Sequence, residues 1–270
     1  MRRILLIEPP YKNKFPPLGL MKISSYHKGL GDDVYFVKCK PQYLGVELLL
    51  REMQSSSDMH DWLNVNENKE FAREYIRSPK YKSLSGSFSS SNKQNNIRII
   101  SKLEDARRRH NESKFPHYER VYITTLFTFY WKQTIETINR AKSICTNAKI
   151  YVGGIAASLL PDKIMAETGV MPIVGLLDKG GELDAEDKTI IDRLVPDYSI
   201  LNDIDYKYSA AENTYFAYTT RGCVRKCPFC AVPKLEPIYQ KYIGIKNNFT
   251  AAQNKYGEFK HIILMDNNVL

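Results

Sequence analysis

The chain has 270 residues, of which 43% are hydrophobic, 26% charged and 11% aromatic. This composition is typical of a folded globular protein of one or two domains and excludes a fibrous or largely disordered one. No apolar run approaches the roughly 18 residues that a membrane span requires, and the run from Ile4 to Ile7 is too short for a signal peptide. We therefore expect a cytoplasmic protein with no membrane partner.

The formal net charge of +9 is unevenly distributed. Ten Lys and Arg residues lie between Arg77 and Lys114, against three acidic residues. A local basic segment is weaker evidence for nucleic-acid binding than a basic domain, because a solvated linker or helix face has the same composition. We therefore do not expect nucleic acid to be a partner.

The first forty residues predict a βαβ unit. Ile4 to Ile7 is a short buried strand, Leu18 to Leu30 has apolar residues at near-helical spacing, and Val34 to Val37 is a second strand. The alternation then stops, and we interpret residues from about 41 to 119 as an inserted helical and disordered segment. Within it, helices are predicted at Gln42 to Met53, Phe71 to Ile76 and Ile97 to His110, and mobility in the serine-rich stretch Ser78 to Asn96.

The alternation of strands and helices resumes at Arg120. The pattern predicts, in order, a strand at Arg120 to Thr125, a helix at Trp131 to Cys145, a strand at Lys149 to Val152, a helix at Pro161 to Thr168 and a strand at Met171 to Val174. Strands separated by helices predict an α/β fold with a doubly wound, Rossmann-like parallel sheet, which we assign to residues 1–195.

Ligands of such sheets bind beyond the carboxyl ends of the strands. In this chain those ends lead into the loops Glu8 to Leu18, Thr125 to Tyr130 and Gly153 to Leu159. Neither GxGxxG nor GxxxxGK[ST] occurs, so the sequence does not predict a dinucleotide or P-loop phosphate site. Gly153-Gly154 fits a strand-to-helix turn with positive φ as well as close approach to a ligand.

A second β-loop-α-β unit is predicted after Pro196, with strands at Thr214 to Thr220 and His261 to Met265 and a helix at Ile243 to Tyr256. Its loop contains three of the five cysteines, in the spacing Cys-x3-Cys-x2-Cys. Clustered thiols in a reducing compartment bind metal more often than they form disulfides. A [4Fe–4S] cluster takes one cysteine per iron, so three cysteines leave one iron open. Zinc normally needs a fourth ligand, for which His261 is the nearest candidate, and the spacing favours iron–sulfur.

The stretch TTRGCVRKCPFCAVP resembles the cluster loop of radical S-adenosylmethionine (SAM) enzymes. The resemblance implies that residues 196–270 begin a partial (βα)6 barrel and that Cys223, Cys227 and Cys230 bind a [4Fe–4S] cluster. It further implies that the open iron is chelated by S-adenosyl-L-methionine and that a flavodoxin or ferredoxin type of electron donor is a partner. The SAM contacts it implies are Phe229 beside the adenine, and Asp266, Asn267 and Asn268, where relatives often have Gly-Gly-Glu.

The N-terminal half, including EPPYKNKFPPLGLMKISSYHKGLGDDVYFVK and VGGIAASLLPD, is similar to the cobalamin-binding domain that precedes many radical SAM barrels. The corrin contacts that this similarity implies are Pro17, Leu18, Gly19, Thr125, Leu126, Gly153 and Gly154. The Asp-x-His-x-x-Gly motif of other cobalamin proteins does not occur. His27 falls in a predicted helix, and we interpret it as a structural residue.

The resemblance implies reductive cleavage of SAM and hydrogen abstraction by the 5′-deoxyadenosyl radical, with methyl transfer to carbon or phosphorus if cobalamin is bound. The sequence ends just after the second of the expected six barrel strands, so we expect the front part of an enzyme or a chain whose barrel a second polypeptide completes. The substrate and the catalytic residues stay unidentified.

Three alternatives stay open. The first is a non-catalytic or split-protein component that binds a cluster or cobalamin. The second is a zinc-stabilised RNA-binding protein that uses Arg107, Arg108 and Arg109 together with the basic serine-rich segment. The third, a methylthiotransferase acting on RNA, is disfavoured because Cys39 and Cys145 cannot supply the second cysteine triad of such enzymes.

Overall fold

The computed structural model describes residues 1–78 and 93–268, so most of the serine-rich stretch Ser78 to Asn96 lies outside the described residues. Within them the chain forms two compact units. The first comprises residues 1–38, 118–139 and 148–270, and the second comprises residues 39–117 and 140–147. The predicted insertion, residues 41–119, falls largely on the second unit.

A four-stranded parallel sheet forms the centre of the first unit. Its strands are β1 (Arg3–Glu8), β2 (Asp33–Lys38), β3 (Arg120–Thr125) and β4 (Lys149–Gly154). They lie in the order β2-β1-β3-β4, so the direction of winding reverses between β1 and β3. Long apolar runs at zero to a few per cent exposure, such as Ile4 to Ile7, are expected where both faces of a parallel strand are covered. The predicted α/β class with a parallel sheet is confirmed, and it is consistent with a Rossmann-like fold.

The strand predicted at Met171 to Val174 is wrong. This segment is irregular, and it joins the sheet only through the Ile173 N–H, which donates to the Val152 carbonyl at 2.8 Å. Pro172 has no N–H with which to extend a ladder of hydrogen bonds. The sheet therefore has four strands and not five.

Helices of the first unit follow β1, β3 and β4 along the chain. They are α1 (Leu18–Gly29), α6 (Trp131–Ile144), which continues into the second unit, α7 (Ile155–Leu159) and α8 (Pro161–Thr168). α8 ends at Gly169, which has φ 68° and whose N–H donates to the Met165 carbonyl. A glycine in the left-handed conformation commonly ends a helix in this way.

Four helices build the second unit: α2 (Leu44–Gln54), α3 (Ser57–Leu63), α4 (Asn66–Arg77) and α5 (Lys93–Asn111). Their core includes Leu49, Met59, Leu63 and Leu103, and all four side chains are buried. α3 is missing from the sequence prediction, because only Met59, Trp62 and Leu63 provide an apolar face in a short helix whose other residues are polar.

A two-stranded parallel sheet completes the first unit. β5 (Thr214–Ala217) pairs with β6 (His261–Leu264), and between them lie the short helix α9 (Val232–Leu235) and α10 (Lys246–Tyr256). Phe216 of β5 belongs to the same hydrophobic core as Leu6 and Phe36 of the first sheet. The Ile262 and Leu264 side chains on β6 are 48% and 46% exposed.

His27 lies in the core and hydrogen-bonds on both sides of its ring. Its Nδ1 is 2.9 Å from the Asp32 carboxylate and its Nε2 is 2.9 Å from the Tyr122 hydroxyl. Arg2 pairs with Asp32 at 2.8 Å, and Arg120 pairs with Asp184. The interpretation of His27 as a structural residue is confirmed.

This network predicts that the fold weakens in acid. Burial would raise the pKa of Asp32, but hydrogen bonds from Arg2 and His27 outweigh it and lower that pKa to about 2. The Arg120 guanidinium likewise lowers the pKa of Asp184 to about 2. A folded-state pKa below the unfolded value of about 4 stabilises the fold above that value, and this contribution is lost as the pH falls towards 2.

Urea unfolding at a series of pH values should therefore show a free energy of unfolding that declines between about pH 4 and pH 2. The decline should be shallower for Asp184→Asn than for the wild-type protein. Asp33→Asn, which changes an exposed carboxylate on β2, is the control. Equal acid slopes for the wild type and Asp184→Asn would contradict this assignment.

Candidate metal and cofactor site

The cysteine segment is a closed loop at the carboxyl end of β5. Arg221 and Gln240 exchange two backbone hydrogen bonds, of 3.1 and 2.9 Å, and the Ile243 N–H donates to the Thr219 carbonyl at 2.7 Å. The chain thus leaves the sheet and returns to nearly the same place. We call residues 221–240 the cysteine loop, and the paired residues 221 and 240 its base.

The Arg221 side chain is buried beneath this loop. Its guanidinium forms ion pairs with Asp192 and with Glu236, the latter at 3.1 Å, and lies 3.5 Å from the centre of the Tyr218 ring. Asp192 in turn pairs with Lys22 of α1 at 2.9 Å. A series of ion pairs of alternating charge therefore connects the base of the cysteine loop to α1.

Gly222 sets the direction of the chain immediately before the first cysteine. It has φ 68°, and a Cβ at this position would lie 2.8 Å from the Ile238 carbonyl oxygen and 2.9 Å from that of Glu236. Both the positive φ and the close backbone contact require glycine. The Gly222 N–H donates to Glu236 Oε2 at 2.6 Å.

The three cysteines lie on the outer part of the loop. The Cys230 N–H donates to the Cys227 carbonyl at 3.0 Å, which closes a turn over Pro228 and Phe229. Cys223 and Cys227 are partly exposed and Cys230 is exposed. The Cys223 sulfur accepts hydrogen bonds from Asn268 Nδ2 and from the Arg225 N–H, both 3.4 Å long, and these bonds lower the pKa of its thiol.

The donor chemistry of this loop fits an iron–sulfur cluster. Three partly or fully exposed thiols within eight residues are ligands that soft metals and Fe–S clusters select. In the described ranges, 1–78 and 93–268, the structure has no group of three or more His, Cys, Asp or Glu side chains arranged to hold a metal ion. The cysteine side chains would therefore have to turn towards one another to bind a cluster.

His261 is badly placed to complete a zinc site. It pairs with Thr214 at the first position of β5, whereas the cysteine loop follows the last position of that strand. The two strands are parallel, so His261 and the cysteines lie at opposite ends of the small sheet. The zinc alternative thus loses its candidate fourth ligand.

The residues after β6 meet the cysteine loop. The Asp266 carboxylate accepts hydrogen bonds from the backbone N–H and the hydroxyl of both Thr219 and Thr220. Burial would raise the pKa of Asp266, but these bonds outweigh it and lower that pKa. Asn267 Nδ2 donates to Glu236 at 3.0 Å, and the Asn268 contact with Cys223 is described above. Of the three predicted SAM contacts, the structure places Asn268 against a cysteine of the triad. Asn267 contacts Glu236 of the same loop, and Asp266 binds the two threonines that precede the loop.

Phe229, predicted to lie beside adenine, is 91% exposed in the turn between Cys227 and Cys230. An aromatic side chain with so little packing of its own is available to a planar ligand. The side chain lies immediately next to Cys230 in sequence, as the predicted role requires.

The predicted corrin contacts follow β1, β3 and β4. Thr125 is buried; its hydroxyl donates to the Gly153 carbonyl at 3.0 Å and accepts from the Ala157 N–H at 2.9 Å. Gly154 has φ 107°, and a Cβ there would lie 2.3 Å from the Thr125 carbonyl oxygen. Close packing of β3 against the turn after β4 is therefore sufficient reason for Thr125 and Gly154. By contrast, a Cβ at Gly153 would have only the Ile173 oxygen, 3.9 Å away, as a neighbour.

The other corrin candidates lie at the start of α1 and after β3. Pro17 precedes the first residue of α1, Leu18 is buried, and a Cβ at Gly19 would meet no atom within 4 Å. The Leu126 carbonyl accepts a hydrogen bond from the Ala156 N–H at 2.9 Å, which joins the loop after β3 to α7. Gly19 is thus the candidate with open space above its backbone, whereas a Cβ at Gly153 would be in ordinary contact with Ile173.

The cysteine loop also contacts the turn region after β4. α9, which follows Cys230 directly, packs against α7, and Lys234 Nζ donates to the Leu159 carbonyl at 2.6 Å. The loop is supported by Lys234, Glu236 and Asp192, which are not among the residues predicted from the sequence. No spacing or motif marks them, because their partners are distant in sequence.

The basic end of α5 is engaged within the second unit. Arg108 pairs with Asp105, Arg109 pairs with Glu52 at 2.8 Å, and Arg107 donates to the Ser78 carbonyl at 3.0 Å. Arg107 also lies 4.9 Å from the centre of the Tyr75 ring. The three arginines that the RNA-binding alternative needs therefore already have partners in the protein.

Comparisons with known proteins give this chain no family. No protein-family model matches it, and neither the curated proteins nor the solved structures gave a match. Among the residues that the structure describes, none of the helices is long and apolar enough to cross a membrane. What the fold defines is an α/β protein with a parallel sheet and a cysteine loop beyond a second, smaller parallel sheet.

Proposed function

We propose that this chain is the cluster-binding part of a radical SAM enzyme. The observation that carries the proposal is the meeting of the Cys223-Cys227-Cys230 loop with Asp266, Asn267 and Asn268 at one end of a parallel strand pair. A site at the carboxyl ends of parallel strands is where α/β folds bind ligands. The three thiols would hold a [4Fe–4S] cluster, and the fourth iron would be open to the amino and carboxylate groups of SAM.

When bound, the cluster would supply the electron that cleaves SAM reductively and yields the 5′-deoxyadenosyl radical, which then takes a hydrogen atom from the substrate. The residues of this chain would orient the reactants. Asn268 holds the Cys223 sulfur, the exposed Phe229 ring offers a face for adenine, and Asp266 keeps Thr219 and Thr220 in place beside the loop. Positioning of the cofactor and exclusion of solvent are what a protein adds to chemistry of this kind.

The proposal includes two kinds of partner and one further cofactor. A flavodoxin or ferredoxin type of protein would deliver the electron. A strand from a second polypeptide would pair with β6 and cover Ile262 and Leu264. Exposed apolar residues on an edge strand favour such pairing. Cobalamin would lie against the open backbone at Gly19 and beside Gly153, and the reaction would then be methyl transfer to carbon or phosphorus.

Anaerobic reconstitution with iron and sulfide tests the proposal. We expect a brown protein with about four iron and four sulfide per chain and a reduced-cluster EPR signal that SAM perturbs. Added SAM should be cleaved to 5′-deoxyadenosine under reducing conditions. A cluster whose EPR signal does not change when SAM is added would support a non-catalytic component instead. A protein that binds stoichiometric zinc and no iron would overturn the proposal.

A further inference from the structure

One carboxylate joins both ends of the cysteine segment. Glu236 Oε1 is 3.1 Å from the Arg221 guanidinium, and Oε2 accepts from the Gly222 N–H at 2.6 Å and from Asn267 Nδ2 at 3.0 Å. Arg221 and Gly222 come directly before the first cysteine, Glu236 comes after the last, and Asn267 follows β6. A single side chain thus connects the entry to the triad, the exit from it and the loop after β6.

The charges around this carboxylate alternate and are largely buried. From α1 to β6 the order is Lys22, Asp192, Arg221, Glu236 and Asn267, and the exposed fractions of the four charged side chains lie between 6% and 19%. Every buried charge in this series has a partner of opposite sign. Because such pairs are screened little by solvent, loss of one partner is felt by the next.

The protein's own contacts therefore hold the base of the loop without any metal. The backbone pairing of Arg221 with Gln240 and the Glu236 contacts fix both ends of the triad segment. The outer turn carries Cys227 and Cys230, and the Cys223 sulfur is already held by Asn268. A cluster would then have to order only that turn, so less conformational entropy would be lost on binding.

We propose that Glu236 is a positioning residue for the cysteine triad. This inference rests on the proposed function, because it assumes that the triad binds a cluster. Glu236 fastens the two ends of the triad segment to Arg221, Gly222 and Asn267 and so holds the entry and the exit of the segment that carries the three thiolates. Residues that support metal ligands through hydrogen bonds change metal affinity by about 10- to 100-fold when they are replaced.

Chelator challenge of the reconstituted protein measures this role directly. We expect Glu236→Gln, which removes the charge opposite Arg221, to lose iron to a fixed concentration of chelator at least about tenfold faster than the wild type. Its reduced-cluster EPR signal should be broader, because the ligands are held less uniformly. Glu236→Asp keeps the charge and should restore part of the retention. Glu258→Gln changes an exposed glutamate in the same unit and should match the wild type.

Hydrogen–deuterium exchange on the metal-free protein gives a second readout. The Arg221, Gly222 and Gln240 amides should exchange faster in Glu236→Gln than in the wild type, while the β1 amides stay protected. The proposed function fails if the wild type itself takes up no cluster. The inference about Glu236 fails if the wild type binds a cluster and Glu236→Gln matches it in chelator resistance, EPR signal and amide exchange.

Discussion

Cys227→Ala is expected to abolish the iron–sulfur cluster while leaving the fold intact. With only Cys223 and Cys230 remaining, two of the four irons would have no protein ligand. The fold should survive because Cys227 is partly exposed, and its hydrogen bond with the Cys230 N–H is made by its backbone carbonyl. A surface substitution of this kind changes the free energy of unfolding by about 0.5 kcal/mol or less.

The measurement is iron and sulfide content after anaerobic reconstitution, together with the EPR signal of the reduced protein and its thermal unfolding. Cys39→Ala and Cys145→Ala serve as matched controls that each remove one thiol from the second unit. Burial raises the pKa of Cys145 to about 12 and also raises that of Cys39, so neither is a good thiolate ligand. We expect both controls to bind a full cluster. A full cluster in Cys227→Ala would show that the triad is not the ligand set.

Lys38→Met is expected to destabilise the protein by about 3–5 kcal/mol near neutral pH, because it leaves a buried carboxylate without its cation. The Glu8 and Lys38 side chains are 2% and 3% exposed and their charged atoms are 2.8 Å apart. Asn13 and Tyr208 complete the cluster through hydrogen bonds to Glu8, and Lys38 also lies 4.1 Å from the Tyr206 ring centre. A methionine can replace the aliphatic stem but not the charge.

The free energy of unfolding that Lys38→Met loses should depend on pH, and the burial of Glu8 determines the direction of this dependence. Burial raises the pKa of Glu8 in the wild type, and removal of the Lys38 charge raises it further. A folded-state pKa above the unfolded value of about 4.5 favours the fold at low pH, and this contribution is lost as the pH rises through the folded-state pKa. The deficit of Lys38→Met relative to the wild type should therefore be smaller at pH 5 than at pH 8.

Urea unfolding curves at these two pH values provide the test. The control is Lys132→Met, which removes one partner of an exposed pair on α6 whose side chains are 89% and 52% exposed. Exposed pairs contribute little to stability, so this control should unfold like the wild type at both pH values. A deficit of equal size at pH 5 and pH 8 in Lys38→Met would contradict the charged state assigned to Glu8.

Much of the fold follows from local pattern. The segments Ile4 to Ile7 and Arg120 to Thr125 are strands because both are rich in β-branched residues, which suit a sheet buried on both faces. Glycine after a periodic segment marks the end of α8 correctly. The error at Met171 to Val174 arose because an apolar run in sequence need be neither buried nor hydrogen-bonded. Met171 and Val174 are 65% and 54% exposed, and Pro172 interrupts the ladder.

In the candidate site, too, some residues could be predicted from the sequence and others could not. The cysteine triad is visible in sequence because its members lie within one short segment, and Asp266 to Asn268 are visible because they follow a strand. The residues that support the loop are not visible, since Lys22 and Asp192 are separated by 170 positions and meet only through the fold. A charged residue that pairs at long range has the same composition signal as a solvated one.

The insertion between β2 and β3 has a consequence for how the chain folds. The two central strands, β1 and β3, pair across a stretch that contains the whole of α2 to α5. The entropy of closing a loop grows only with the logarithm of its length, by about 0.6 kcal/mol per doubling. Those helices share a core of their own, to which α2, α3, α4 and α5 all contribute, and helical segments form faster than strand pairs between distant parts of the chain. We therefore expect these helices to fold during synthesis before β3 is made, so that β1 and β3 then pair across a segment that is already folded.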